Sequence, residues 1–262
     1  DTVKRAAARI KDDVVHTPTL FSEALSRATG AKVFVKYENM QHTGAFKARG
    51  AIAKLTTLTD AQKKAGVIAM SAGNHAQGVA FHAGRLGIPA TIVMPKGTPF
   101  IKIRKTRDYG ATVLLEGETL VDAANAATKR AEEQGLTFVH PYDDDEVIAG
   151  QGSAALEMLS DVPSLEVLVI PVGGGGLIAG CAVAAKALRP GIEVIGSETA
   201  LFPALYQKLR GLEAKHGGAT IADGIAVKTI GKIPFPIHQA LVDDVILLAE
   251  PEIEQEIGRA HV

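Results

Sequence analysis

Short apolar, largely β-branched runs alternate with longer stretches of helical periodicity along most of this chain, and that alternation admits few folds. Two strands joined through a helix lie parallel in one sheet, because the crossover returns the chain to the edge from which the first strand started. Val67 to Met70 opens the clearest series, with a helix predicted from about Asn74 to Leu86. The strand Ala90 to Met94 follows, then a helix from about Pro99 to Tyr109, a strand at Thr112 to Leu115, a long helix from Thr119 to Gln134 and a strand at Thr137 to Val139. A second series has a helix from about Gly150 to Leu159, the strand Val167 to Val172, a helix from Leu177 to Leu188 and the strand Glu193 to Gly196. Residues 167–172 show no polar alternation, which predicts helices on both faces of their sheet.

Outside these series, Lys32 to Tyr37 and Val245 to Leu248 read as strands and Ala45 to Leu55 as a helix. Glu250-Pro251-Glu252 starts a last helix, with acid and proline in the first turn, where the dipole and the missing N–H suit them. The expected architecture is an α/β, three-layer, parallel-sheet fold of two domains. A small domain, 66–142, carries a four-stranded sheet, and a large one combines 1–65 with 143–262. Val262 falls barely three turns into the last helix, so the large domain is expected to be truncated at its C-terminus.

Charge and cysteine usage exclude several partners. The 28 Lys+Arg and 29 Asp+Glu leave a net charge of −1, with no basic block to hold a phosphate backbone, so no nucleic acid is expected. One cysteine, Cys181, cannot form an internal disulfide, and eight scattered histidines add no thiolate cluster for zinc; a reducing cytoplasm is the simplest compartment. Val167 to Ala185 is uncharged for 19 residues, yet Pro171 and four successive glycines would break a lipid-exposed helix, so no membrane span is expected. Asp1 to Ile10 reads as an amphipathic surface helix rather than a signal peptide.

Three segments carry chemistry. Gly173-Gly174-Gly175-Gly176 joins an apolar strand to an apolar helix, so several amides converge on one point at the positive helix end and form a phosphate cradle. Gly174 to Ala179 also satisfies G-x-G-x-x-G/A, with Glu193 and Glu198 at about the right distance, which keeps a nicotinamide-dinucleotide oxidoreductase open. Lys47 lies at a predicted helix start in Thr43-Gly44-Ala45-Phe46-Lys47-Ala48-Arg49-Gly50, where lost hydration, the helix end and Arg49 together would favour the neutral amine that a Schiff base requires. The alternative is a lysine that snorkels at a helix start. Ser71-Ala72-Gly73-Asn74-His75-Ala76-Gln77-Gly78 lies between strand and helix and offers amides to a carboxylate, or simply an Asn74 N-cap and a partly buried His75. The 27 glycines, where average composition gives about 18, concentrate in and beside such segments.

The three segments in this order resemble the fold-type II pyridoxal-phosphate enzymes, a tryptophan synthase β-like fold, and within them the threonine dehydratase (threonine ammonia-lyase) and serine racemase family. Pro141-Tyr142-Asp143-Asp144, Ala149-Gly150-Gln151-Gly152 and Thr220 to Val227 extend the likeness over nearly the whole chain. The resemblance implies that Lys47 holds pyridoxal 5'-phosphate as a Schiff base beside Phe46 and is the catalytic residue. It implies that Asn74 bonds the cofactor's 3′-oxygen, and that Gly173, Gly174, Gly175, Gly176 and Leu177 bind its phosphate. Ser71, Ala72, Gly73, Asn74 and His75 would bind the carboxylate of a small amino-acid substrate. The implied reaction is β-elimination of L-threonine to 2-oxobutyrate and ammonia, with L-serine giving pyruvate, in isoleucine biosynthesis or threonine catabolism; a homo-oligomer, dimer or tetramer, is implied too.

Racemases of this group carry a second serine after the position of Ser71; Ala72 stands there and points to elimination, with serine racemisation as the alternative. Relatives that bind a divalent metal place an Asp six residues beyond the position of Glu198; Ala204 stands there, so no metal is expected, and the acidic run Asp143 to Glu146 reads as a solvated loop. A non-catalytic cofactor-binding module is the third reading.

Overall fold

The two alternating series fold as two separate parallel sheets in the computed structural model, which describes residues 1–259. The chain begins with α1 (Thr2–Ile10), β1 (Thr19–Phe21), α2 (Glu23–Thr29), β2 (Phe34–Lys36), α3 (Lys47–Leu55) and α4 (Asp60–Ala65). The first sheet is built by β3 (Val67–Met70), α5 (Asn74–Arg85), β4 (Ala90–Met94), α6 (Phe100–Asp108), β5 (Thr112–Leu115), α7 (Leu120–Gln134) and β6 (Thr137–Phe138). The second follows with α8 (Asp145–Asp161), β7 (Val167–Pro171), α9 (Gly176–Leu188), β8 (Glu193–Thr199), α10 (Ala204–Leu209), α11 (Pro234–Leu241), β9 (Asp244–Leu248) and α12 (Glu250–Arg259). The expected last helix and large domain extend to residues 260–262, which lie outside the described residues.

The first sheet has the order β5-β4-β3-β6, all parallel, with Val67 opposite Ala90 and Thr137. Its central strands β3 and β4 are buried on both faces: Val67, Ala69 and Ile92 pack with Val79 of α5 and Leu55 of α3, while Ile68 and Val93 pack with Ala123 and Ala127 of α7. Helix, sheet and helix make the three layers. The second sheet, β7-β8-β9, is also parallel, and Leu168, Ile170, Val194 and Val245 pack with Ala155 of α8 and Ile178 and Ala182 of α9. The expectation of helices on both faces fails here: Val167, Val169 and Ile246 are exposed, because α8 and α9 cover one face and no described element covers the other.

The acidic run is no solvated loop, since each carboxylate but one has a partner. Asp144 caps α8 by accepting from the amides of Glu146 and Val147, and it pairs with Lys54 at 2.6 Å. Glu146 pairs with Arg9, and Asp143 accepts from the Ile233 amide at 2.7 Å. Carboxylates at the positive end of a helix stabilise it, so α8 starts at Asp145, well before the expected Gly150. β1 pairs antiparallel with β2, and β1, α2, α4, α10 and α11 are short elements absent from the sequence reading. α8 and α9 cross with almost no space between backbones: a Cβ on Gly180 would lie 2.1 Å from the Ile148 carbonyl oxygen. No helix among the described residues is long and apolar enough to cross a membrane.

Arg49 has no exposed surface, yet it is charged. Burial alone would lower its pKa, but hydrogen bonds and charge from Glu38 and Glu157 outweigh burial and raise it. Nε and Nη2 meet Glu38 at 2.8 Å each, Nη1 and Nη2 meet Glu157 at 2.7 and 2.8 Å, and Nη1 also donates to Ser153. The guanidinium thereby ties α3 to α8 and to the turn after β2. Arg49→Leu strands two carboxylates, so it is expected to lower the unfolding free energy by about 3–5 kcal/mol; a change below about 1 kcal/mol in urea denaturation would contradict this role.

His82 of α5 is the opposite case, a buried ring in which neither nitrogen has a partner among the described residues. Burial, helped by the nearby charge of Arg85, pushes it down to about 3. The unfolded chain takes up a proton near pH 6.5 that the folded chain refuses, so this group destabilises the fold increasingly as pH falls from about 6.5 towards 3. His82→Leu is expected to unfold at the same or higher urea concentration at pH 7, with its advantage widening at pH 5; a variant that loses ground on acidification overturns the assignment.

Candidate active site

The three segments singled out in the sequence all lie at the carboxyl ends of strands or the amino ends of helices, the positions where open α/β sheets bind ligands. Ser71 follows β3, Gly173 follows the strand run that ends at Val172, and Lys47 opens α3. The backbone brings them together. Gly78 in α5 lies so close to α3 that a Cβ there would be 3.2 Å from the Ala48 nitrogen and the Lys47 carbonyl carbon. Lys47 Nζ donates to the Pro141 carbonyl at 2.8 Å, and the ring of the adjacent Tyr142 packs on Gly174, where a Cβ would be 2.2 Å away.

Burial pushes the Lys47 amine down to about 8. The expected contribution from Arg49 does not arise, because the guanidinium is neutralised by Glu38 and Glu157 on the far side of α3. At pH 7 roughly one amine in ten is then unprotonated, against fewer than about one in a thousand for a free lysine. The Phe46 ring centroid lies 5.3 Å from Nζ. The snorkelling alternative is excluded by that enclosure.

In the second segment Gly73, not Asn74, is the N-cap of α5, and the Ser71 hydroxyl accepts from the Gly73 amide at 3.1 Å. The amides of Ala72, Asn74, His75 and Ala76 meet no acceptor among the described residues. Asn74 is exposed with its side-chain amide uncommitted, whereas His75 is buried and its Nε2–H donates to the Val139 carbonyl at 2.9 Å. Burial, reinforced by the charge of Lys47, pushes His75 down to about 3. Its ring therefore anchors the turn from behind, and its backbone amide meets no acceptor among the described residues.

Gly173 to Leu177 form a second amide cluster. Gly175 has φ 95°, in the left-handed region open to glycine, and α9 begins at the next residue. None of the amides of residues 173–178 meets an acceptor among the described residues, so six successive N–H groups are available to an anion. Val227 and Ile225 lie over Gly173. The dinucleotide reading fares worse: Glu193 is exposed at the start of β8, and both oxygens of buried Glu198 accept amides, from Leu205 at 2.8 Å and Tyr206 at 2.9 Å, with burial pushing the group up to about 7. Sequence reasoning missed the Pro141 carbonyl, the Tyr142 ring and His238, whose Nε2–H donates to the Gly175 carbonyl at 2.9 Å. Pro141-Tyr142 directly after a predicted parallel strand was the one available signal.

A primary amine kept partly neutral between two clusters of free amides fits a group that carries an aldehyde and a phosphate, with room for a carboxylate at the second cluster. Known proteins agree with that fit. The model of a family described as pyridoxal-phosphate dependent enzymes matches residues 10–260. An L-threonine ammonia-lyase of Thermotoga maritima is 46% identical over 259 residues, covering 98% of this chain and 65% of the relative, and one of Geobacter sulfurreducens is 45% identical, covering 96% and 63%. The chain thus spans slightly less than two thirds of the length of these relatives. Among solved structures, maize serine racemase superposes with a TM-score of 0.95 at 35% identity, covering all of this chain and 80% of the racemase. Threonine deaminase isoform 2 of Solanum lycopersicum superposes at 0.90 with 37% identity, covering 95% and 69%.

The lowered pKa makes a direct forecast. Reductive methylation of Lys47 with formaldehyde, followed by mass spectrometry, is expected to accelerate with pH and level off above about 8, while exposed lysines keep accelerating. A Lys47 profile that matches theirs would contradict its enclosure.

Proposed function

Because the chain belongs to the pyridoxal-phosphate dependent enzyme family, we propose that it catalyses β-elimination of L-threonine to 2-oxobutyrate and ammonia, and of L-serine to pyruvate and ammonia. The observation that carries this is Lys47, a buried amine pushed down to about 8 and set between the two amide clusters. The names of the relatives, L-threonine ammonia-lyase and threonine deaminase, supply the substrate class.

In this reading Lys47 holds the cofactor, and Phe46 lies beside it. The amides of residues 173–178 take the phosphate, and the Asn74 side chain takes the 3′-oxygen. The amides of Ala72, Asn74, His75 and Ala76 take the substrate carboxylate, which pins the α-carbon near Nζ. When bound, pyridoxal phosphate supplies a conjugated, electron-withdrawing system that accepts the electron pair left at the α-carbon. Lys47, freed as a neutral amine, would remove the α-proton and, as the ammonium, give it to the departing β-hydroxyl, which leaves as water; the resulting enamine takes up water to give the oxo acid and ammonia. Tyr142, packed over Gly174, keeps water from the glycine loop on that side.

The same proposal places the cofactor between a small domain, 66–142, and a large one of 1–65 with 143–262, in a cytoplasmic homo-oligomer that supplies oxo acid to isoleucine biosynthesis or disposes of threonine. The separate sheets β3–β6 and β7–β9 support the division, and the buried, unreactive Cys181, pushed up to about 12 by burial, is compatible with a reducing compartment. Racemisation has less support, because the methyl group of Ala72 offers no acid on the face opposite Lys47.

Borohydride reduction of protein loaded with pyridoxal phosphate, followed by peptide mapping, is expected to leave a pyridoxyl group on Lys47; Lys47→Ala is expected to reduce 2-oxobutyrate formation by about 10³-fold or more. Finding the label elsewhere would sink the assignment. Keto acid and D-serine measured together from L-serine separate the two reactions: keto acid in large excess is expected, and comparable yields would favour racemisation.

A further inference from the structure

The glycine loop can present its amides only if its carbonyls turn the other way, because the N–H and C=O of a trans peptide point in opposite directions. Two carbonyls are held from behind. The Gly174 carbonyl, in the same peptide as the Gly175 amide, accepts from the Gly231 amide at 3.2 Å. The Gly175 carbonyl, in the same peptide as the Gly176 amide, accepts from the Ala179 amide at 3.1 Å within α9 and from His238 Nε2 at 2.9 Å. His238 is the only side chain among the described residues that donates to a loop carbonyl.

His238 is placed for this by α11, which packs on α9 and is fixed at its start by Asp143 accepting from the Ile233 amide. The ring has no exposed surface, and a Cβ on Gly175 would lie 2.3 Å from its Cε1, so the imidazole rests against the one loop residue in the left-handed conformation. A carbonyl only accepts, so the proton sits on Nε2, and Nδ1 is buried without a partner among the described residues. Burial, with a smaller effect of Lys208, pushes the ring down to about 4, which keeps it a neutral donor in this tautomer at neutral pH. A buried imidazole with one nitrogen orphaned is an expensive way to fill space, since an aliphatic side chain would do so without stranding Nδ1.

We propose that His238 is a positioning residue for the anion cradle: by holding the Gly175 carbonyl it aims the Gly176 amide, and the turn around it, at the phosphate of the cofactor. The inference rests on the reading that residues 173–178 take that phosphate. It makes the donor, rather than the ring's bulk, the functional part of His238, and it makes the effect specific to ligands that carry the phosphate.

The test compares binding of pyridoxal phosphate and of pyridoxal, which lacks the phosphate, by absorbance titration of the cofactor-free chain. The variants are His238→Leu, which removes the donor without adding bulk, and His238→Gln, whose side-chain amide nitrogen lies near the Nε2 position. His238→Leu is expected to weaken pyridoxal phosphate binding about tenfold and to leave pyridoxal binding unchanged, and His238→Gln is expected to recover most of the loss. Equal weakening of both ligands would reduce His238 to a packing residue and overturn the proposal, as would an unchanged preference for the phosphorylated ligand in His238→Leu. If the wild-type chain itself shows no such preference, the assignment of the glycine loop falls, and this inference falls with it.

Discussion

Arg49 lies two residues beyond Lys47 in the same helix, with its guanidinium divided between Glu38 and Glu157 and no surface exposed to water. A charge so placed is tolerable only while both carboxylates stay in position, so the turn after β2, helix α3 and helix α8 are locked into one geometry. The rest of the site hangs on that lock. α3 carries Lys47, α8 follows directly from Pro141 and Tyr142, and α8 also packs against α9, which leads out of the glycine loop. One ion cluster thus fixes the distances between the amine, the ring over Gly174 and the amides of 173–178. The cluster also removes Arg49 from the electrostatics of Lys47, and the amine is shifted by burial alone.

The parts of this arrangement that were legible in the sequence are those with a local signal. β3, β4, β5 and β7 are near-continuous apolar runs, and the helices between them keep a clear period, so their order and parallel pairing follow from the pattern. Lys47, the Ser71–Gly78 turn and the four glycines stand out because their residue types are ones suited to chemistry at element ends. The acidic run at Asp143 was misread because a charge cluster looks the same whether it is solvated or capping; Lys54, Arg9 and the Ile233 amide, which decide the matter, are distant in sequence. The bare face of β7 was misread for a related reason, since an apolar run reveals what can be buried on each face but not what arrives to cover it.

His238 shows the same limit at the site. Nothing in Pro234 to Leu241 marks a functional residue, and a histidine in an apolar helix reads as core. Its role depends on a single contact across 63 positions of sequence, to a carbonyl in a loop whose own residues have no side chains to report on their neighbours. Pro141 is a similar case, because the group that meets Lys47 is a backbone oxygen that any residue would supply.

Recognition by backbone rather than side chain has an electrostatic consequence. Amides do not titrate, so the two anion clusters keep the same character over the whole range in which proteins are folded. The rings that support them are driven the same way: burial lowers His75 and His238, so each stays neutral and neither adds or removes charge beside a cluster near neutral pH. Tyr142 is pushed upward by burial, away from the same range. Lys47 changes charge close to physiological pH, and Glu198, pushed up to about 7 by burial, does so too, with its oxygens committed to the Leu205 and Tyr206 amides. On the proposed assignment the site separates two tasks: a frame with fixed partial charges to hold anions at any pH, and one buried amine to exchange the proton. Placing that amine's lowered pKa on burial instead of on a neighbouring cation is what permits the separation, since a free cation beside Lys47 would also have pulled at the anions the amides are built to hold.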